Sequence, residues 1–292
     1  MNRCPICESP NNELLYTNSR GKRYLENHVC SNCGFIYTWP RISNAEVSKL
    51  YLDGDFSKEA RKSTEPDLDK FIQTEQYALE RIHHLEKKIP SFFSKAKSCL
   101  EIGCGAGSFL WLLKALGHKV IGIEPDSNFV KPVQKRYNIE IETVMFQDYP
   151  KGILFDFICN FHVIEHIIDP RAFIKEIYTR LKDDGYIYIE CPTIDNIYTG
   201  SLDTFFWDVH VNTFSNKTLP WLLESEGFSI IELFMNRGFV SVIAKKGIDK
   251  RFKKDNKQRI IDIIKENSKK KTKKSLFSNL NNKLKIRLKK YL

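Results

Sequence analysis

Between residues 98 and 245 the hydrophobic positions follow two alternating rhythms. Apolar runs near 98–102, 119–124, 140–145, 155–160 and 186–191 are short and bounded by charged or glycine-bearing turns, which predicts buried strands. Near 107–117, 128–138 and 170–182, apolar residues instead return every three or four positions, as on a helix with one covered face. This alternation predicts a parallel sheet covered on both sides. At the end the pattern changes: Phe228–Met235 and Phe239–Ala244 are apolar runs joined by Asn236-Arg237-Gly238, which reads as an antiparallel hairpin. Upstream, Leu68, Phe71, Ile72, Glu75, Leu79, Ile82 and Leu85 recur at helical spacing over 67–89 and Pro90 stops the helix; His83 and His84 on it are expected to face solvent.

Two turns of this pattern carry chemistry. In Cys99-Leu-Glu-Ile-Gly-Cys-Gly-Ala-Gly-Ser-Phe109 a strand runs through Glu101, places Gly103, Gly105 and Gly107 at alternate positions, and passes at once into a helix. Such a loop offers free N–H groups and lets backbone approach a ligand closely. Alone the signal is weak, because dinucleotide-binding turns use a related spacing. The next strand sharpens it by ending in Glu124-Pro125-Asp126, an acid where a ribose would present its hydroxyls. In Phe155–Pro170 another strand delivers Asn160, Phe161, His162, Glu165 and His166 at or beyond its carboxyl end, where open α/β sheets bind ligands.

Taken in order, E-x-G-x-G-x-G, I-G-I-E-P-D and H-V-x-E-H-x-x-D-P resemble motifs of the class I S-adenosylmethionine (SAM) methyltransferases over residues 98–245. Asp183-Asp184-Gly185 departs from the family's usual Pro-Gly-Gly. The resemblance implies a Rossmann-like α/β fold with a mostly parallel sheet and a terminal antiparallel strand, the feature that separates it from an NAD-binding sheet. It further implies that Gly103, Gly105 and Gly107 pass the methionine part of SAM, that Glu101 helps hold its amino-acid end, that Glu124, followed by Pro125 and Asp126, takes the ribose, that Phe146, Gln147 and Asp148 flank the adenine, and that Asn160 is a further cofactor-binding residue. A hydroxyl acceptor needs a base: His166 is the first choice, then His210 or His162, with Glu165 beside them. His210 lies in Phe205-Phe-Trp-Asp-Val-His-Val-Asn-Thr-Phe214, where the family carries an insertion that completes the acceptor pocket.

Cys4, Cys7, Cys30 and Cys33 form C-x2-C, twenty-two residues, C-x2-C, which suits a structural zinc ribbon; a redox pair or unligated thiols are the alternatives. With Cys30–Pro40 and Tyr51–Phe56, this leader resembles that of bacterial methyltransferases acting on sugars and surface glycans, and implies O-methylation of a nucleotide-sugar or glycan acceptor. The expected divisions are a ribbon at 1–40, a helical cap and linker at 41–90, the catalytic domain at 91–247 and a tail at 248–292. From Lys245 onward the chain holds 19 basic residues against four acids, so the rest of this +10 chain is mildly acidic. The tail's Arg259–Lys265, the lysine run Ser268–Lys274, and Phe277, Leu280, Leu284, Leu288 and Tyr291 at helical spacing suit a basic amphipathic helix, expected to lie on an anionic membrane surface, to be solvated, or to attract RNA. With no leading apolar run and no bilayer-length stretch, the expected place is the cytoplasm, at the inner face of its membrane if the tail docks there.

Several readings stay open here. A divalent ion at His162, Glu165 and His166, with His210, is one, although His162 stands where related sites carry Glu. H-x-x-E-H is also a zinc-peptidase motif, disfavoured by its place after a strand. Cys191 before Pro192 reads as a buried thiol more readily than as a nucleophile. An RNA methyltransferase gripping phosphates with ribbon and tail, and a non-catalytic scaffold, are the rival functions.

Overall fold

The structure, a computed structural model, describes residues 2–17, 20, 24–43, 45–47, 49 and 67–268. A seven-stranded sheet forms the centre. Its strands are β4 (Ser98–Ile102), β5 (Lys119–Ile123), β6 (Glu140–Glu142), β7 (Phe155–Phe161), β8 (Leu181–Pro192), β10 (Phe228–Asn236) and β11 (Phe239–Lys246). They lie in the order β10-β11-β8-β7-β4-β5-β6. Strands β4 to β8 run parallel, while β11 is antiparallel to both β8 and β10. This is the predicted α/β sheet with its antiparallel hairpin. Two strands differ in length. β6 is three residues long, and β8 starts at Leu181 because Leu181 already pairs with Phe155 ahead of a register shift.

Each helix has a local cause. α1 (Leu68–Lys88) is capped by Asp67, which accepts from the Lys70 amide at 2.8 Å. α2 (Ser108–Ala115) starts at the glycine loop, α3 (Ser127–Tyr137) is capped by Asp126, and α4 (Pro170–Arg180) by Asp169 with Pro170 at its first position. On α1 only Phe71, Ala78, Ile82 and Leu85 are buried; Leu68, Ile72 and Leu79 are more than half exposed. Its buried stripe packs Ala78, Ile82 and Leu85 with Phe109 and Leu113 of α2 and with Phe157 and Phe161 of the sheet.

A second, antiparallel sheet has the order β1 (Asn12–Thr17), β2 (Glu26–Cys30), β3 (Ile36–Trp39) and β9 (Asn212–Thr213). Its fourth strand comes from the insertion after β8, which also holds α5 (Leu202–Phe205); α6 (Thr218–Ser225) follows. Phe35 and Tyr37 share the main core with Phe214, Leu219 and Leu222. Helix α7, residues 257–268, docks on the same unit, burying Ile260 and Ile264 against Val29, Ile36, Phe205 and Phe206. Over this part of the tail Ile260 and Ile264 are thus covered by protein, while Ile261 and Ile263 are half-buried. The lysine run from 269 and the spacing Phe277 to Tyr291 lie outside the described residues. Among those described, no helix is long and apolar enough to cross a membrane.

Candidate active site

The glycine loop is shaped by packing. Gly103, Gly105 and Gly107 all have positive φ (70°, 51° and 70°), a region costly to other residues. A Cβ on Gly103 would sit 2.5 Å from Val163 Cγ2, and one on Gly107 would sit 2.4 Å from Val133 Cγ1. The space left by these two side chains therefore belongs to neighbouring valines, a reason for glycine beyond the expected approach to a ligand. The Gly103 and Cys104 amides donate to the Ile123 carbonyl at 2.7 and 3.0 Å. Glu124 accepts from the Gly105 amide at 2.8 Å and from the Asp126 amide at 3.1 Å, so the acid at the end of β5 holds the loop.

Above this loop opens a cavity of about 750 Å³, roofed by α1 and by the β10–β11 turn. Glu101, Gly103, Gly105, Gly107, Glu124 and Pro125 line one end, with Phe146 and Gln147. Glu101 is 4 % exposed and its Oε2 has no hydrogen-bond partner. Burial, with Glu124 adding repulsion, pushes its carboxyl up to about 8. A buried, unpartnered carboxylate oxygen at the head of a cavity suits a cationic ligand group.

The other end gathers His162, Glu165, His166 and His210 with Trp207, Tyr198 and Phe239. His162 has φ +59°, an uncommon conformation for a non-glycine residue, and its ring nitrogens lie 3.7 Å from Glu165 and 3.6 Å from Glu190. Burial opposes charge on this ring, but the two carboxylates outweigh it and hold the imidazole up to about 9. Burial and the neighbouring His166 instead push His210 down to about 3. His166 Nδ1 lies 2.9 Å from the Val209 carbonyl. A carbonyl only accepts, so Nδ1 carries a proton, and Nε2 lies 3.8 Å from Glu165. Both carboxylate oxygens of Glu165 are buried without a hydrogen-bond partner.

A family profile described as "Methyltransferase domain" matches residues 73–233, more than half of the chain. The chain belongs to the methyltransferase-domain family. It is 28% identical over 156 residues to a probable S-adenosylmethionine-dependent methyltransferase of Mycolicibacterium smegmatis, covering 52% of this chain and 60% of the relative. A second probable S-adenosylmethionine-dependent methyltransferase, from Mycobacterium tuberculosis, is 26% identical over 205 residues, covering 70% of this chain and 66% of the relative. The chain thus spans less than two thirds of the length of either. Among solved structures, the Burkholderia thailandensis 1,6-didemethyltoxoflavin-N1-methyltransferase, with S-adenosylhomocysteine bound, matches with a TM-score of 0.54 at 14% identity. That match covers 73% of this chain and 96% of the other, and likeness at this identity speaks for the fold alone.

Within this methyltransferase domain the predicted residues divide. Fifteen were expected to meet SAM or acceptor before the cysteines are counted, and Asp126, Asp148 and Asn160 lie off the cavity wall. Asp126 is occupied as the cap of α3, and Asp148 is exposed on a one-turn helix. Asn160 is fully buried under the sheet's end. His83 faces solvent as expected but His84 does not. Its ring stacks on Phe234 at 3.7 Å between centroids, and Nε2 is buried at the cavity wall. The reading of residues 162–166 missed Arg81 and Glu190. Arg81 of α1 lies over the Phe161 ring and pairs with Glu190, whose other oxygen accepts from Ser241 at 2.9 Å. The signal for Glu190 was present, an acid ending an apolar strand, whereas Arg81 stands in a helix with no motif around it.

The four N-terminal cysteines converge as expected. The sulfurs of Cys4 and Cys33 lie 3.6 Å apart, those of Cys7 and Cys30 3.5 Å, and all four fall within 4.8 Å. Tetrahedral zinc with bonds of about 2.3 Å would space them about 3.8 Å apart, so the donor set fits. Gly34, at φ +68°, makes the open turn beyond the second pair. Cys191 is fully buried, which pushes its thiol up and away from nucleophilic use.

Proposed function

We propose that the protein transfers the methyl group of SAM to a hydroxyl of a sugar, carried on a nucleotide or on a growing glycan. The observation that carries the cofactor half is the buried, unpartnered Glu101 oxygen at the glycine loop, placed to receive an α-ammonium. Glu124 would take the ribose hydroxyls while keeping its bonds to the loop. When bound, SAM supplies an electrophilic methyl carbon on a sulfonium sulfur. The chain then has to orient the acceptor, exclude water beneath α1, and remove a proton. His166 is suited to the last task, because Nδ1 is anchored and Nε2 faces the cavity with Glu165 beside it to stabilise the imidazolium. His162, held protonated between two carboxylates, is not a base in this state.

What supports a sugar is the mixture at the acceptor end. Flat faces from Trp207, Tyr198 and Phe239 surround Glu165, His162 and His210, a combination that suits a ring bearing many hydroxyls. A second reading has its own observation: ligand atoms of Glu165, His166 and His210 all lie within 4.8 Å, as a divalent ion requires. There the ion, not His166, would lower the proton affinity of the acceptor hydroxyl.

Calorimetric titration of zinc-loaded protein with S-adenosylhomocysteine tests the cofactor. Micromolar binding that Glu124→Ala loses is expected, and its absence from folded protein would overturn the methyltransferase reading. Screening nucleotide-sugars against RNA then tests the acceptor.

A further inference from the structure

The N-terminal sheet reaches the acceptor end through two residues with no role so far. β3 pairs with β9, Tyr37 opposite Asn212 and Ile36 opposite Thr213, and the Thr38 amide donates to the Val211 carbonyl at 3.0 Å. Arg41, two residues beyond β3, donates to the carbonyls of Ile168 and Val211 and to Asn212 Oδ1, the last at 3.2 Å. Asn212 turns its amide nitrogen the other way, donating to the Ile164 carbonyl at 3.2 Å and the Ile167 carbonyl at 2.5 Å. These carbonyls bracket Glu165 and His166, and Asn212 stands two residues after His210.

The turn that carries Glu165 and His166 has little to hold it by itself. It is a single 3-10 turn with one short backbone bond, His166 to Val163 at 2.9 Å, and a longer one, Ile167 to Ile164 at 3.3 Å. Its inward carbonyls need donors, and Asn212 and Arg41 supply them. We infer that Arg41 and Asn212 are positioning residues that fix the Glu165–His166 turn against His210, so that the four-cysteine unit governs the acceptor half of the cavity and not the cofactor half. The inference rests on the acceptor reading above for its meaning, but its test does not.

Full-length, zinc-loaded protein carrying Asn212→Asp, Arg41→Ala or Arg41→Lys is compared with the parent. Amide exchange, the imidazole NMR signals of His166 and His210, and affinity for S-adenosylhomocysteine are measured. Asn212→Asp keeps the shape and sets a carboxylate against two carbonyls. It is expected to speed exchange over 164–168 at least tenfold and to move both histidine signals. Exchange over 101–107 and cofactor affinity should stay within about threefold. Arg41→Ala should act in the same direction and Arg41→Lys should recover most of the loss. Unchanged exchange and histidine signals in Asn212→Asp overturn the inference, as does a change spread equally to 101–107. Should Asn212→Asp not fold, the Arg41 pair decides the matter by the same readouts. A parent that fails to bind S-adenosylhomocysteine sinks the cofactor reading alone, since the exchange comparison still stands.

Discussion

The two ends of one cavity are built in different ways. At the end with the glycine loop, Glu101 to Gly107 and Glu124 come from two adjacent strand ends, and main-chain bonds to Ile123 together with the neighbouring Glu124 carboxylate hold the loop. At the acceptor end, His162 to His166 meet Glu190, Trp207 and His210, with Arg81 reaching in from α1 and the N-terminal sheet gripping from behind. The first end is local, held by bonds to loop amides from the adjacent strand end. The second is assembled from distant segments through side chains, so its geometry depends on elements far from the chemistry.

The largest expected effect sharpens that contrast. Structural zinc contributes about 10–16 kcal/mol in small zinc domains, so Cys33→Ser should lower the melting temperature steeply and release the β3–β9 pairing. Metal analysis of the parent should give one zinc per chain. A second divalent ion, lost in His210→Ala, would favour the metal reading of the acceptor end.

Next in size is Glu190→Ala. Burial raises this carboxyl, but Arg81 and His162 outweigh that and hold it well below the ordinary range, so removing it strands a buried guanidinium. Breaking such a pair costs about 3–5 kcal/mol. Chemical denaturation should show the loss while affinity for S-adenosylhomocysteine changes little. A large loss of affinity would break the comparison by showing that the two ends share this pair.

Glu101→Gln should act in the opposite way. A charge-assisted bond is worth about 1.5–3 kcal/mol, so cofactor affinity should fall roughly ten- to a hundredfold. Stability should move the other way. With its carboxyl held at about 8 against an ordinary 4.5, the folded protein keeps a proton that the unfolded chain releases between those values. Native stability from this group therefore falls as pH rises through that window, and Glu101→Gln should melt higher than the parent above pH 8. By the same linkage, binding an ammonium must expel the proton below pH 8. Affinity should then drop by up to about tenfold per unit on going from pH 8 to 6, with proton release seen as buffer-dependent heat.

How far the sequence could be read follows this division. The glycine loop, Glu124 and the antiparallel hairpin were legible because each is fixed by residues close in sequence, through φ, turn chemistry and strand period. The cysteine pairs were legible for the same reason. Arg81 was not, because nothing around it marks which face of α1 meets Glu190. For Asp126 the sequence left two uses open, since an acid after a strand can serve a ligand or cap the next helix, and the structure shows the cap to the Asn128 amide. His84 was misread because helical spacing does not say that Phe234 of the hairpin lies above it.

By itself the sequence determined the order of strands and helices, the glycine turn and the four thiols, since local backbone preference and hydrophobic period act over a few residues. Only the tertiary structure decided that the His166 ring meets the Val209 carbonyl, that α7 closes on the N-terminal sheet, and that β9 joins it through Tyr37 and Asn212. Those outcomes turn on pairings between residues up to about two hundred positions apart. Their energies come from burial and from satisfying carbonyls that no local pattern announces.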